Sequence, residues 1–297
     1  MVDYFHGNIE VFWVLVVVGG LIFGSLTNAV VYRLPKLLMA GWREEACSIL
    51  KLDSVKSEEP CDWSLFSRSC CPNCLHQISW WQNVPVLSYI YLSGRCFFCK
   101  QPISRRYPIV ELSGALLMFL AFFRFGPTVK FLCSAVLGFY LLIAALIDFD
   151  TQLLPDEITW PLLMMGLLVN SFSVFVPLHD SVWGSIVGYY CLWSVYWIFF
   201  WLTKKHGFGF GDFKLMCALG AWLGWKSIPF VVFGACIEAL LISFICFLLS
   251  YKPGCSKTEG KFLHWQIPFG PYLAFMGWIA IFFVDKQYFY PYILHIH

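Results

Sequence analysis

Two short stretches carry acids where acids are costly. Gly207-Phe-Gly-Phe-Gly-Asp212 sets one aspartate in a glycine-rich turn between two apolar runs. In Ile147-Asp-Phe-Asp-Thr-Gln-Leu-Leu-Pro-Asp156, Asp148 closes another apolar run. A carboxylate at the membrane-embedded end of a helix is by default a functional-site hypothesis. The alternating glycines allow a tight turn and the approach of an extended chain. Two carboxylates at neighbouring helix ends can divide the work of peptide hydrolysis, one activating water while the other protonates the carbonyl oxygen. Like charges a few ångströms apart drive one proton into a shared position and supply both states at once. Asp148 with Asp212 fits that need, and a pair of solvated helix-end aspartates is the plainer alternative.

The neighbouring acids have simpler readings. Asp150 reads as a solvated loop acid, and Asp156, after Pro155, as the N-cap or first-turn charge of the next helix. Glu111 opens an apolar run. Glu238 is the one acid well inside such a run, so it is expected to face the bundle interior or a polar cavity, as structural partner or functional group.

Cys71-Pro-Asn-Cys74 and Cys96-Phe-Phe-Cys99 form two CxxC units with 21 residues between them. Two such knuckles supply the four thiolates of a tetrahedral zinc site, which leaves no open position for water, so the metal is structural. Gly94 suits a knuckle turn. A dithiol redox centre and two disulfides compete with this reading, and a reducing cytoplasm disfavours both. Cys70 is an extra thiol beside the first knuckle. The other cysteines are scattered, and those in apolar runs read as packing residues.

The elements that must hold these groups are membrane helices. Of the 297 residues 59% are hydrophobic and 13% charged, which excludes an ordinary soluble domain. A net charge of +2 without a basic, aromatic-interleaved run gives no sign of nucleic-acid binding. The hydropathy pattern predicts an all-α polytopic membrane protein with about eight spans, at 11–32, 108–123, 129–147, 157–176, 182–203, 210–225, 228–250 and 267–284. The first reads as a retained span, not a signal peptide. Residues 36–52 have helical apolar spacing and read as a helix on the membrane surface. With the N-terminus outside, sixteen Lys and Arg fall inside and four outside. Both termini are then periplasmic, and the cysteine loop, Asp148 and Asp212 all face the cytoplasm. The domains expected are a first span at 1–32, a cytoplasmic loop domain with the zinc site at 33–107 and a seven-span protease domain at 108–297.

With these motifs in place the chain resembles the type IV prepilin peptidases, the leader peptidase and N-methyltransferase family of pilus and type II secretion systems. The resemblance runs nearly end to end. It takes in Asn28-Ala-Val-Val-Tyr-Arg-Leu-Pro35, the four knuckle cysteines, Asn83-Val-Pro-Val-Leu-Ser-Tyr89 and Ile103-Ser-Arg-Arg-Tyr-Pro-Ile-Val-Glu111. It continues through Ile147-Asp148, Leu154-Pro-Asp156, Gly209-Phe-Gly-Asp212-Phe-Lys and Pro268-Phe-Gly-Pro-Tyr272. The GxGD turn alone is shared with presenilin-like proteases, so the combination with the cysteine loop is what makes the match specific.

The resemblance implies a catalytic pair at Asp148 and Asp212 and zinc ligands at Cys71, Cys74, Cys96 and Cys99. It implies cleavage of the basic leader of prepilins and pseudopilins at the cytoplasmic face of the bacterial inner membrane. It further implies methylation of the new N-terminal amine with S-adenosylmethionine, for which the sequence carries no recognisable donor fingerprint. The substrates and the lipid bilayer are the partners expected, and the oligomeric state is left open. A membrane thiol oxidoreductase using the CxxC pairs, or a proton-coupled transporter using Asp148, Asp212 and Glu238, are the alternatives from other classes.

Overall fold

The computed structural model describes residues 9–51, 68–71, 73–204, 209–250 and 268–293. Among them no strand occurs, and five helices are long and apolar enough to cross a membrane. The chain is an all-α membrane protein. It divides into two compact units, with the boundary between Phe131 and Leu132.

The first unit contains α1 (Ile9–Leu50), a 3-10 turn at Trp80–Asn83, α2 (Leu87–Tyr91) and α3 (Arg106–Phe125). α1 and α3 meet backbone to backbone. A methyl group on Gly24 would stand 2.7 Å from Cα of Glu111, and one on Gly114 would stand 2.6 Å from the Gly20 carbonyl oxygen. Small residues one turn apart allow such an approach where no water drives helices together. The surface helix expected at 36–52 is not a separate element. α1 runs through Pro35 for 42 residues, because one proline removes one hydrogen bond while the flanking residues remain good helix formers. At 1.5 Å per residue such a helix is about 63 Å long, roughly twice the hydrocarbon thickness of ~30 Å.

The second unit is built from α4 (Val129–Thr151), α5 (Asp156–Ser171), α6 (Leu178–Thr203), α7 (Phe210–Leu223), α8 (Ile228–Ser250) and α9 (Gly270–Ile293). α7 is its centre, packed by α5, α6 and α9. Ten of its fourteen residues are buried, so it is apolar around most of its circumference. Its C-terminal end is clamped by Asn170 of α5. The Asn170 amide donates to the carbonyls of Ala221 and Trp222 and accepts from the N–H groups of Phe175 and Val176. Carbonyls that the helix end leaves orphaned are thereby satisfied. Trp222 adds a bond from its indole N–H to the Leu162 carbonyl at 2.8 Å.

Each of the eight segments read as spans overlaps a helix, though α5 ends at Ser171, α7 ends at Leu223 and α9 begins at Gly270. The five long ones are Val11–Leu50, Arg106–Phe125, Val129–Thr151, Leu178–Thr203 and Trp225–Leu248, and Gly270–Val284 is a shorter apolar helix. α5 and α7, at 16 and 14 residues, are shorter still.

Candidate active site

Asp148 lies in the last turn of α4 and Asp212 in the first turn of α7, and each is only 6% exposed. The chain leaves α4 through Gln152, whose φ of 54° is left-handed and whose N–H returns to the Asp148 carbonyl at 2.8 Å. It then enters α5 with Pro155 as N-cap. Between those points Leu154 is wedged against two glycines. A methyl group on Gly211 would stand 2.6 Å from Cβ of Leu154, and one on Gly270 would stand 3.3 Å from its Cδ1.

This changes the reading of the GxGD glycines. Gly209 is the N-cap of α7 with φ −77°, a backbone open to any residue, and Gly211 is helical. Gly211 is required by the close approach of Leu154 rather than by a tight turn. Gly207 lies outside the described residues.

The structure brings the two aspartates to one place: Asp148 is close enough for its charge to act on Asp212. A third element completes the site. The N–H of Gly270, the first residue of α9, donates to Oδ2 of Asp148 at 3.0 Å. That N–H is one of the orphan donors at a helix N-terminus, where the helix dipole also favours negative charge. In the sequence, Pro268-Phe-Gly-Pro-Tyr272 stands as a motif that gives no sign of this contact. What marks it is a glycine between two prolines at the start of an apolar run.

The other acids separate from this pair. Asp150 is exposed, and it is helical, not in a loop. Asp156 is the first residue of α5 and is bound by Lys214 Nζ at 2.6 Å, so it ties the start of α5 to the first turns of α7. Glu238 lies on α8 with a buried Oε2 that has no hydrogen-bond partner among the described residues. Glu111 is buried in the first unit, where its Oε2 accepts the Val86 N–H at 2.7 Å.

The four cysteines come together in the first unit. Their sulfurs all lie within 4.8 Å of one another, and Cys71 Sγ and Cys99 Sγ are 3.8 Å apart. Zinc–sulfur bonds of about 2.3 Å in a tetrahedron require an S···S distance of about 3.8 Å, so the donor set fits zinc. All four are free thiols. The two knuckles have the same local geometry. Cys71 N–H donates to the His76 carbonyl and Leu75 N–H to the Cys71 carbonyl; Cys96 and Lys100 repeat this with Gln101 and Cys96. Leu75 and Lys100, four residues after each first cysteine, share a left-handed φ of 56° and 58°. Cys70 carries a bridge to Gln77 outside the cluster.

Backbone donors prepare the cluster for a cation. The Cys99 N–H, ahead of that of Phe98, holds the Cys96 thiol down at about 7. On Cys99 the Gln101 N–H favours the thiolate, but desolvation and hydrogen bonds with Cys96, Cys74 and Cys71 push the thiol up to about 11.

The comparisons with known proteins bear on both units. The Bacterial Peptidase A24 N-terminal domain matches residues 18–125, and the Type IV leader peptidase family matches residues 135–244. A prepilin leader peptidase/N-methyltransferase of Pseudomonas putida is 46% identical over 93% of this chain and 92% of its own length. The chain belongs to the type IV leader peptidase family. Family members of the same description from Aeromonas hydrophila and Pseudomonas aeruginosa are 42% and 40% identical over 96% of this chain. They are covered over 96% and 95% of their own lengths. No solved structure matches the chain. The segment matched by the leader peptidase family holds both Asp148 and Asp212, and the segment matched by the N-terminal domain holds all four cysteines.

Proposed function

We propose that this chain cleaves the basic leader of type IV prepilins and type II secretion pseudopilins with an aspartyl dyad, and N-methylates the new N-terminal residue. The observation that carries the first activity is the pair of buried carboxylates, Asp148 and Asp212, at helix ends of one unit and within reach of each other's charge. One carboxylate activates water and the other donates a proton to the scissile carbonyl oxygen. The Gly270 N–H orients Asp148, and Leu154 holds the three helix ends in register. The second activity follows from the relatives, which are named as both peptidase and N-methyltransferase. S-adenosylmethionine is then the methyl donor. Zinc held by Cys71, Cys74, Cys96 and Cys99 is structural, since four thiolates leave no open coordination position.

The domains that serve this function are the first span at 1–32, the zinc-bearing loop domain at 33–107 and the membrane protease domain at 108–297. Eight spans place both termini in the periplasm and the dyad at the cytoplasmic face of the inner membrane. Mass spectrometry of a prepilin-like peptide incubated with the purified protein tests the peptidase. A product cut after the leader is expected from the wild type and none from Asp212→Asn, and near-normal cleavage by that variant removes the assignment.

A further inference from the structure

The short helix α2 sets its apolar side outward. On its inner side Ser88 is half-buried, and the Tyr89 hydroxyl donates to the Ile103 carbonyl at 3.3 Å. Leu87, Ile90 and Tyr91 have the i, i+3, i+4 spacing of one helix face and are 67%, 67% and 78% exposed. The patch extends beyond α2. Trp80, in the 3-10 turn before it, is 84% exposed. Trp81 packs edge-on against both Tyr91 and Phe97, at ring-centroid distances of 6.4 and 5.6 Å. Contiguous exposed apolar surface of this kind marks an interaction site, because water selects the opposite arrangement.

Depth and charge say what covers it. The N–H of Val86, the residue before α2, donates to Oε2 of Glu111 at 2.7 Å, and bonds to a carboxylate are strong ones. Glu111 lies on α3, a helix apolar enough to cross a membrane, and its Cα faces Gly24 within the apolar run of α1. Arg105 and Arg106 at the start of α3 mark the headgroup level. Glu111 is about 7.5 Å deeper than Arg106 along the helix, and its neighbours Ile109 and Leu112 are exposed apolar residues. Interfacial helices bury their apolar face about 5–10 Å into the boundary between headgroups and acyl chains. The start of α2 is held at that depth.

The charge is of one sign. From residue 68 to residue 110 the chain carries Arg68, Arg95, Lys100, Arg105 and Arg106, and no aspartate or glutamate. Lys100 lies over the Phe97 ring at 5.1 Å, which joins the basic residues to the aromatic patch. Tryptophan and tyrosine among basic side chains suit a bilayer interface with anionic headgroups. A basic peptide would be repelled by the same charges.

We propose that α2 and the Trp80–Trp81 turn form a docking surface for the bilayer. Trp80, Leu87, Ile90 and Tyr91 enter the acyl boundary, and Arg95 and Lys100 meet anionic phospholipid headgroups. The knuckle module is then seated on the membrane by its own surface as well as by the spanning helices α1 and α3.

The test places the full chain in nanodiscs whose phospholipid carries a photoactivatable diazirine on its acyl chain, and maps the lipid adducts by mass spectrometry. One set of discs holds phosphatidylglycerol and phosphatidylcholine in equal parts, and the other phosphatidylcholine alone. Adducts are expected on the patch in the mixed discs at a level comparable with Leu116 and Phe123, exposed residues of α3. The patch signal should fall by about threefold or more in phosphatidylcholine alone, and in the mixed discs with Arg95→Gln/Lys100→Gln. Leu87→Glu/Ile90→Glu should remove the adducts on Trp80 and Tyr91 while those on α3 persist, which shows that the variant is folded and inserted. If that variant does not insert, the wild-type map decides. A wild-type patch without adducts beside a labelled α3 overturns the proposal. So does a patch protected from hydroxyl-radical oxidation yet free of lipid adducts, since a second copy or another protein segment then covers it. Equal labelling in the two lipid compositions overturns the assignment of the headgroup contacts.

Discussion

The backbone N–H of Gly270 reaches Oδ2 of Asp148 across 122 residues of chain, at 3.0 Å. The N-terminus of α9 is therefore part of the site. A methyl group at position 270 would stand 2.5 Å from that same oxygen, whereas one at Gly209 would stand 3.7 Å from Oδ2 of Asp212. Contacts of the first kind force something to move, and those of the second are ordinary packing. Gly270→Ala should therefore lower the cleavage rate by at least about tenfold, as a misplaced catalytic group does. Gly209→Ala should stay close to wild type. Equal rates for the two variants in a peptide-cleavage assay count against the role of Gly270.

The dyad should behave as one unit. Asp148→Asn and Asp212→Asn each remove one of the two protonation roles while keeping size and much of the hydrogen bonding, so each abolishes cleavage. The double variant should be no worse than either single one, because members of a catalytic unit are not additive. Asp150→Asn and Asp156→Asn should retain substantial activity. The Asp156–Lys214 pair is about half exposed, and such pairs contribute only about 0–1 kcal/mol. Methylation of a pre-cleaved substrate should survive both dyad variants, and its loss would show that the carboxylates are shared by the two reactions.

Purified protein should carry about one zinc per chain, and Cys74→Ser should lose it. Uptake should also depend on pH, since each ligand must surrender its proton. Cys96 is held down at about 7 and Cys99 is pushed up to about 11. At neutral pH the metal must therefore displace a proton from Cys99, and affinity should fall as pH falls and more thiols become protonated. Competition with a chromophoric chelator between pH 6 and 8, on the order of the Cys96 value, measures this. A pH-independent affinity removes the thiolate site.

Asn170 makes four buried hydrogen bonds that close the far end of α7. Asn170→Leu keeps the volume and takes away the partner of the Trp222 carbonyl and of the Phe175 and Val176 N–H groups, while the Ala221 carbonyl keeps the Ser181 hydroxyl. Each orphaned group costs on the order of 1–3 kcal/mol, so a loss of about 3 kcal/mol or more is expected in thermal or denaturant unfolding. Unchanged stability would mean that the clamp is incidental to how α7 is seated.

Topology is open to reporter fusions. Positions Asp53 and Ser256 should report cytoplasm, and position His179 the periplasm. Asp53 and Ser256 on opposite faces would break the eight-span count and the placement of the dyad that depends on it.

Composition and spacing were enough to determine the class of fold, the helical segments and the residues with chemistry to offer. Apolar runs of near-membrane length force helices, because a backbone in lipid must satisfy its own hydrogen bonds. The two CxxC units announce a metal site because a knuckle is a local structure, formed within a few residues of each cysteine pair. Contacts between distant segments were not legible. Nothing in the chain near residue 270 says that its N–H serves Asp148, and the glycine at 211 reads as a turn until Leu154 is seen packed against it. The single long α1 was hidden because its sequence changes at residue 33 from an apolar run to charged, amphipathic spacing, although the helix itself continues through Pro35. Asn170, an ordinary polar residue at the end of an apolar run, acquires its role only when α5 is packed against the C-terminus of α7. The depth of α2 likewise becomes known only once the Val86 N–H before it is seen bonded to Glu111 of α3. Local chemistry could be read residue by residue, while close approach and enclosure are properties of the packed chain.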